Sequence, residues 1–268
     1  VAEGALLADQ APRVTDSRDG RPRASSLRLA AGVLLAVAAG VTISMGLVGR
    51  GSSFSTSVGG LSIIPTQDGS VVTLNTDSKI EVRFTAQERR IELDKGEAFF
   101  EVAKDPSKPF VVYAGKQRVV AVGTKFSVRL NSDTVHVAVT EGKVRLESRP
   151  SILDDRAGAS DGLTAGTVAD VKNSRISVEQ RPIPEIEQAL SWRAGYIGLN
   201  GTPLADAIAE FNRYNTRQLL IGDLSLATLK VEGNFRSNNL DGFIRLLEQG
   251  FEVKTEESED GRIVLKRN

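Results

Sequence analysis

Residues 29–48 have the sequence LAAGVLLAVAAGVTISMGLV, twenty residues without a charge between Arg28 and Arg50. At a rise of about 1.5 Å per residue, a helix of this length covers roughly 30 Å, the thickness of a bilayer's hydrocarbon core. Thr42 and Ser44 carry its only polar side chains, so it lacks the polar stripe of a helix on a soluble domain. The stretch predicts a single-pass membrane protein.

Arginines flank this span unevenly. The twenty residues before it contain five arginines, whereas Arg50 is followed by no further Lys or Arg until Lys79. An excess of basic residues marks the cytoplasmic flank, so we expect the amino terminus inside and the bulk of the chain outside. A cleaved signal peptide is the alternative, but its apolar region is usually shorter, and residues 45–50 offer no small-x-small cleavage site.

Small residues recur at every fourth position of the span, at Gly32, Ala36, Gly40 and Ser44. They share one helix face, and such a face lets two membrane helices approach closely. An Ala- and Gly-rich span also produces this spacing by chance, so both interpretations stay open.

The composition excludes several chemistries. The chain has 34 Lys plus Arg and 34 Asp plus Glu, so it carries no net positive charge that would favour binding to nucleic acid. The chain has no Cys, which excludes disulfides, thiolate catalysis and Cys-ligated metals. His136 is its only histidine. We expect no enzyme, metal or cofactor. His136 alternates with valines and should lie on a strand's polar face, while Glu97 and Glu101 are expected at turns and rims.

Residues 52–178 lack a helical period and predict an all-β domain of two packed antiparallel sheets. Short alternating or β-branched runs are separated by turn signals such as Asp68-Gly69 and Lys95-Gly96. The predicted strands are 71–74, 80–84, 90–93, 98–102, 110–113, 118–122, 126–130, 135–139 and 143–147.

Residues 192–268 predict a small α+β domain made of two β-α-β halves. Leu204, Ile208 and Phe211 lie on one helix face and recur 36 residues later as Leu240, Ile244 and Leu247, the apolar face of a second helix. Thr202 is expected as the N-cap of the first helix, with Pro203 at its first position, and Gly250 as the C-cap of the second. The expected organisation is a tail at 1–28, the span at 29–48, the β domain at 52–178, a linker at 179–191 and the α+β domain at 192–268.

Trp192, Arg193 and Tyr196 stand where the linker meets this last domain. Packing between the two domains is one role for these side chains. An anchor for a partner protein is the other, because Trp, Tyr and Arg are enriched in binding hot spots.

Five phrases carry a resemblance to a known family: 68–75 (DGSVVTLN), 96–102 (GEAFFEV), 108–112 (KPFVV), 122–126 (VGTKF) and 139–144 (VTEGKV). In this order the chain resembles the FecR family of transmembrane sensors and anti-sigma factors. The region from Trp192 through Arg213-Tyr214 is similar to the family's C-terminal domain, which is like the short N-terminal domain of secretins and TonB-dependent receptors.

The resemblance implies a bacterial inner-membrane sensor. Its periplasmic part would bind the signalling domain of an outer-membrane TonB-dependent transducer that carries iron, a siderophore or another nutrient, and would relay that signal to an extracytoplasmic-function sigma factor. Family members also carry a helical cytoplasmic domain that holds the sigma factor, where this sequence has only a 28-residue tail. Either that domain is missing from the sequence, or this protein senses without it. A membrane-tethered protein that binds glycan or another envelope component is the alternative function.

Overall fold

The structure, a computed structural model, describes residues 51–132, 134–148, 162–173 and 175–268. None of the helices within these ranges has the length and apolar character that a membrane span requires. The predicted tail 1–28, the predicted span 29–48 and its stripe of Gly32, Ala36, Gly40 and Ser44 lie outside the described residues. Residues Gly51–Asn268 form one unit of the chain.

The β domain consists of strands that join into a single 13-stranded sheet. Their bounds are β1 Ser52–Ser55, β2 Ser62–Pro65, β3 Val71–Leu74, β4 Lys79–Phe84, β5 Arg89–Glu101, β6 Phe110–Ala114, β7 Gln117–Ala121, β8 Lys125–Asn131, β9 Thr134–Glu141, β10 Lys143–Ser148, β11 Leu163–Thr164, β12 Thr167–Lys172 and β13 Arg175–Gln180. Each of the predicted strand segments overlaps one of these strands, which confirms the β-rich character of this region.

Strand β5 is 13 residues long and belongs to both halves of the sheet. Its first half pairs with β4 and β6, and its second half, from Gly96 onward, pairs with β3 and β8. The prediction of two packed antiparallel sheets is therefore wrong in two respects. The halves are continuous through β5, which passes the expected turn at Lys95-Gly96 without ending, and the β5–β6 pairing is parallel.

The two halves of the sheet fold over a common hydrophobic core. Phe110 comes from one half, and Phe100 and Phe126 come from the other. The Phe100 ring stacks on Phe126 at 5.1 Å between centroids and meets the edge of Phe110 at 5.8 Å. Such aromatic pairs contribute about 0.5–1.5 kcal/mol beyond their buried area.

A buried arginine ties the turn before β3 to the start of β5. Arg89 is 1% exposed, and its Nη1 donates to Asp68 Oδ2 at 2.7 Å and to the Ala103 carbonyl at 2.8 Å. Its Nε donates to the Lys108 carbonyl at 2.9 Å. Asp68 Oδ2 also accepts from Ser70 Oγ at 2.6 Å. The segment Asp68-Gly69-Ser70 thus makes a turn and also supplies the carboxylate that pairs with the buried Arg89.

The C-terminal part forms two interlocked β-α-β halves, as the repeated helix pattern predicted. β14 pairs with β16, and β15 pairs in parallel with β18, which also pairs with β17. Phe211 and Phe243 stack at 4.0 Å between the two long helices. The bounds are β14 Tyr196–Pro203, α2 Leu204–Tyr214, β15 Leu219–Ile221, β16 Lys230–Arg236, α3 Leu240–Gly250, β17 Val253–Glu257 and β18 Ile263–Arg267, preceded by α1 Ile183–Ala189.

Both predicted caps are displaced by one residue. Pro203 takes the N-cap position of α2 without a side-chain cap, and Thr202 lies one residue before it in strand β14, where it pairs with Val231. Gly250 is the last residue of α3, and Phe251 takes the C-cap position.

The segment 179–191, expected as a linker, contains the end of β13 and the helix α1. Ile186 and Leu190 of this segment are buried, and they share a hydrophobic cluster with Phe99, Ala138 and Val168 of the β domain. The same cluster continues into the core of the α+β domain. The segment therefore packs between the domains.

We expect Asp68→Asn to lower the free energy of unfolding by about 2 kcal/mol, because it leaves the Arg89 guanidinium buried without its carboxylate. Urea unfolding of the Gly51–Asn268 unit at neutral pH measures this loss. Asp94→Asn is the matched control, since Asp94 pairs with Lys79 at an exposed position and should cost less than about 0.5 kcal/mol. Equal losses in the two variants would contradict the assigned role of Asp68.

The same carboxylate predicts a pH dependence. Burial opposes ionisation of Asp68, but hydrogen bonds from Ser70, Thr66 and Arg89 outweigh it and lower the pKa below its ordinary 3.8. A lowered pKa in the folded state stabilises the protein fully above pH 3.8, and this stabilisation is lost as the pH falls through the folded value. The difference in unfolding free energy between wild type and Asp68→Asn should therefore hold its neutral-pH value down to the ordinary pKa of 3.8 and shrink as the pH falls below it. A constant difference would contradict this.

Candidate functional site at the domain interface

An apolar contact joins the outer face of the β-sheet to the segment 179–191. Phe99 on β5 lies 1% exposed in the cluster that also holds Ile186 and Leu190. The Arg193 guanidinium lies over the Phe99 ring, with its Cζ 4.1 Å from the centroid. Arg193 is held there by an ion pair with Glu187 and by a 3.1 Å bond from Nε to the Leu190 carbonyl. This contact is a cation–π interaction between the two domains.

Beside it lies a buried polar network that also crosses the interface. Arg213, near the end of α2, donates through Nη2 to Glu97 Oε2 of β5 at 2.8 Å. Asn75 Nδ2 donates to the same Glu97 oxygen at 2.9 Å and to the Tyr214 hydroxyl at 2.8 Å. Glu97 and Asn75 are almost fully buried, at 6% and 1% exposure. Each of these bonds except that between Asn75 and Glu97 joins one domain to the other.

A second carboxylate balances the charges of this network. Glu210 pairs with Arg213 within α2, and its other oxygen accepts from Arg129 Nη1 of β8 at 3.1 Å. The Arg213 carbonyl accepts from Thr76 Oγ1 at 3.0 Å. Two arginines thus meet two glutamates, and the network is electrically neutral.

The environment keeps Arg213 and Tyr214 of this network in their ordinary forms. Burial alone would lower the pKa of Arg213, but the carboxylates of Glu97 and Glu210 raise it further above its usual value. Burial, reinforced by Glu210, raises the pKa of the Tyr214 hydroxyl. At neutral pH the arginine stays charged and the tyrosine stays protonated, so the hydroxyl can accept from Asn75. The arrangement is suited to holding two domains in one orientation.

The structure puts the predicted partner-binding residues in different environments. Trp192 is 3% exposed and belongs to the shared hydrophobic cluster, where the packing alternative places it. Arg193 is partly exposed but lies over Phe99. Tyr196 is half-buried at the start of β14, with the Arg236 guanidinium 5.4 Å from its ring, and it lines an open groove with Pro184, Gln188, Ser191 and Asn234. Their role in binding a partner stays a prediction.

The expectation for Glu97 is wrong: it is a buried partner of Arg213 and lies neither at a turn nor at a rim. Glu101, by contrast, is exposed. The sequence does carry one hint, since Glu97 stands among apolar residues in a strand and a carboxylate there needs a cation or donors. His136 lies on the outer strand face as predicted, with Nδ1 2.8 Å from Asp170 Oδ1.

Removing both members of the buried pair should destabilise the protein by less than the sum of the losses in the two single variants. We expect Glu97→Leu and Arg213→Met each to lower the unfolding free energy by about 3 kcal/mol, because each breaks a buried ion pair and leaves the remaining charge with Glu210 or with Asn75 alone. The double variant should fall short of the sum by about 2 kcal/mol or more. Urea unfolding of the four proteins measures the cycle.

Arg217→Met is the control for this cycle, because Arg217 pairs with Asp241 at an exposed site on the same domain. It should change stability by less than about 0.5 kcal/mol. Additive losses for Glu97→Leu and Arg213→Met would show that the two side chains do not act as a pair.

Comparison with known proteins places the β domain in a family. Residues 52–145 match the family model described as FecR protein. Two crystal structures of a proposed anti-sigma factor from Parabacteroides distasonis share the fold. Both are 23% identical with a TM-score of 0.64; one alignment covers 82% of this chain and 100% of that chain, and the other covers 81% and 99%. No curated protein matches the sequence. Residues 52–145 are therefore a FecR domain, as the five phrases within this range predicted.

Proposed function

We propose that this protein is an inner-membrane sensor that regulates a sigma factor in response to a signal received outside the cytoplasm. The observation that carries the proposal is a FecR domain joined through a buried ionic and aromatic interface to a β-α-β unit. The similarity of the fold to that of a proposed anti-sigma factor supports the same function. The arginine-flanked span at 29–48 supports a place in the membrane with the FecR domain in the periplasm.

In this proposal the incoming signal is the periplasmic signalling domain of an outer-membrane TonB-dependent transducer, active in the uptake of iron or another nutrient. The output is an extracytoplasmic-function sigma factor. The protein works by binding and has no catalytic step.

The α+β domain offers a surface of the right kind for such a partner. Tyr196 and Arg236 lie together beside the groove that Gln188 and Asn234 line. Among the described residues, β16 pairs only with β14, so its other edge carries backbone groups that an added strand could bond. An aromatic side chain next to an open strand edge gives a partner both an anchor and a register.

The test is direct binding between the Gly51–Asn268 unit and the signalling domain of the transducer encoded beside it. We expect a Kd in the micromolar range or below by titration calorimetry, because signalling complexes of modest area bind at this strength. Tyr196→Ala should raise the Kd at least about tenfold, as expected for a hot-spot aromatic.

Leu224→Ala is the matched control, since Leu224 is a large apolar side chain 83% exposed on the same domain. It should leave the Kd unchanged. Absence of binding at micromolar concentrations would contradict the proposal, and retention of the unit by peptidoglycan would favour the envelope-binding alternative instead.

A further inference from the structure

Strand β13 leaves one edge of the sheet open. Among the described residues, β13 pairs only with β12, and it ends the half of the sheet that carries the domain interface. Five of its six residues are exposed. An exposed edge strand carries unpaired N–H and C=O groups, to which a strand of another chain can bond.

This edge lacks the features that usually protect an edge strand. Protected edge strands are very short, carry lysine or proline, or contain a bulge. The other edges of the described β domain follow this rule, because β1 and β2 have four residues each, β2 ends at Pro65, and β11 has two residues. Strand β13 has six residues without lysine or proline, and its register with β12 is unbroken. Among these edges, β13 is the one best suited to pairing.

The hydrogen bonds at the end of β13 show which backbone groups face the open side. The Arg181 N–H donates to the Gly166 carbonyl at 2.8 Å, on the side of β12. Backbone groups of an antiparallel strand point alternately to its two sides. Those of Ile176, Val178 and Gln180 therefore point to the open edge, where an added antiparallel strand would bond to them.

The side chains of β13 divide between the two faces of the sheet. Ile176 and Val178 lie opposite Val171 and Ala169, on the face that lines the core, yet Val178 is 52% exposed. Successive residues point to opposite faces. The outer face therefore carries a cation, a hydroxyl and a carboxylate, which are Arg175, Ser177 and Glu179.

We propose that two copies of this chain pair through β13, antiparallel and about a two-fold axis at Ser177. In this register each Arg175 lies opposite Glu179 of the second copy, and each Ile176 lies opposite Val178 of the second copy. The strand is complementary to itself, with two ion pairs on the outer face and two apolar pairs on the other. A two-fold interface uses the same surface on both subunits and needs this self-complementarity. The opposite charges placed evenly about Ser177 thus favour a second copy over an unrelated strand.

Charge also selects the register. An axis at Val178 would use the same outward backbone groups but would place Arg175 opposite Arg181. An axis at Glu179 would place the two glutamates opposite each other. Like charges directly opposite are destabilising. Of these three axes, the one at Ser177 is the one that places opposite charges together.

Six residues from each copy make a small interface, and small interfaces bind weakly. Anchors in one membrane, as proposed above, raise the effective concentration of the two copies and favour the pairing. The inference goes beyond the proposed relay, because it makes the β domain half of a symmetric dimer.

Cross-linking through an introduced thiol tests the axis. The chain has no Cys, so Ser177→Cys supplies its only thiol. Because the backbone groups of Ser177 point to β12, the two thiols would face each other in a non-hydrogen-bonded pair, with Cα atoms about 4.5 Å apart, within the range of a disulfide. Ser53→Cys is the matched control, since Ser53 is an exposed serine on the edge strand β1. Mild oxidation of the whole chain in lipid vesicles, read on a non-reducing gel, should cross-link Ser177→Cys at least about tenfold faster.

Charge reversal in the Ser177→Cys background tests the register. Arg175→Glu places carboxylates opposite each other, and Glu179→Arg places arginines opposite each other. Each change should slow cross-linking about fivefold, and the two together should restore the rate to within about twofold, because opposite charges meet again. Arg175→Glu with Glu257→Arg is the control, since Glu257 is exposed on β17 and its change restores the net charge without the pairing. That combination should stay slow. All these positions are exposed, so the thermal midpoint should not change.

The proposal is overturned if Ser177→Cys cross-links no faster than Ser53→Cys, which would leave the open edge to a strand of another protein. It is also overturned if Glu257→Arg rescues Arg175→Glu as well as Glu179→Arg does, because net charge and not the register would then govern the contact. The cross-link forms without any partner protein. The outcome is therefore independent of whether a transducer binds the α+β domain.

Discussion

Strand β5 serves both halves of the sheet because Gly96 lets its backbone pass close to Ser78. A Cβ at position 96 would lie 2.6 Å from the Ser78 Cα, and the φ of +84° is one that L side chains rarely adopt. Ser78 Oγ in turn accepts from the Glu97 N–H at 2.9 Å. The residues before Gly96 pack in one half of the sheet, and Glu97 and Phe99 then reach the second domain. The close approach of β5 to Ser78 at Gly96 therefore sets both the shape of the core and the position of the domain interface.

The two buried arginines fix geometry more than they add stability. Arg89 closes the turn at Asp68, and Arg213 joins the α+β domain to Glu97. The desolvation of a buried ion pair largely offsets its attraction, so an apolar replacement of both partners is often neutral. Any other docking of the domains, however, would leave a buried charge without a partner. This penalty on alternatives selects one orientation among the many that a hydrophobic contact alone would allow.

Local pattern predicts the elements of this chain but not the contacts between them. Alternation along 71–74 or 135–139 identifies strands because it reflects a periodicity within a few residues. The Glu97–Arg213 pair joins residues 116 positions apart, and the continuity of β5 depends on Ser78 lying against Gly96. Neither leaves a periodic signal. The sequence predicts a turn at Gly96 because a glycine at a turn and one at a close backbone approach look alike in sequence.

The interface also determines which kind of relay the proposed sensor can perform. A partner bound to the α+β domain can separate the domains only if it binds the separated form more tightly by at least the free energy that holds them together. Here the shared cluster and two ion pairs oppose separation, so a partner that touches only the Tyr196 groove moves both domains as one body. That motion reaches Gly51 through β1, which pairs with β4, which pairs with the first half of β5, the strand that carries Glu97. A ladder of hydrogen-bonded strands therefore connects the proposed partner surface to Gly51, which follows the predicted span after Gly49 and Arg50.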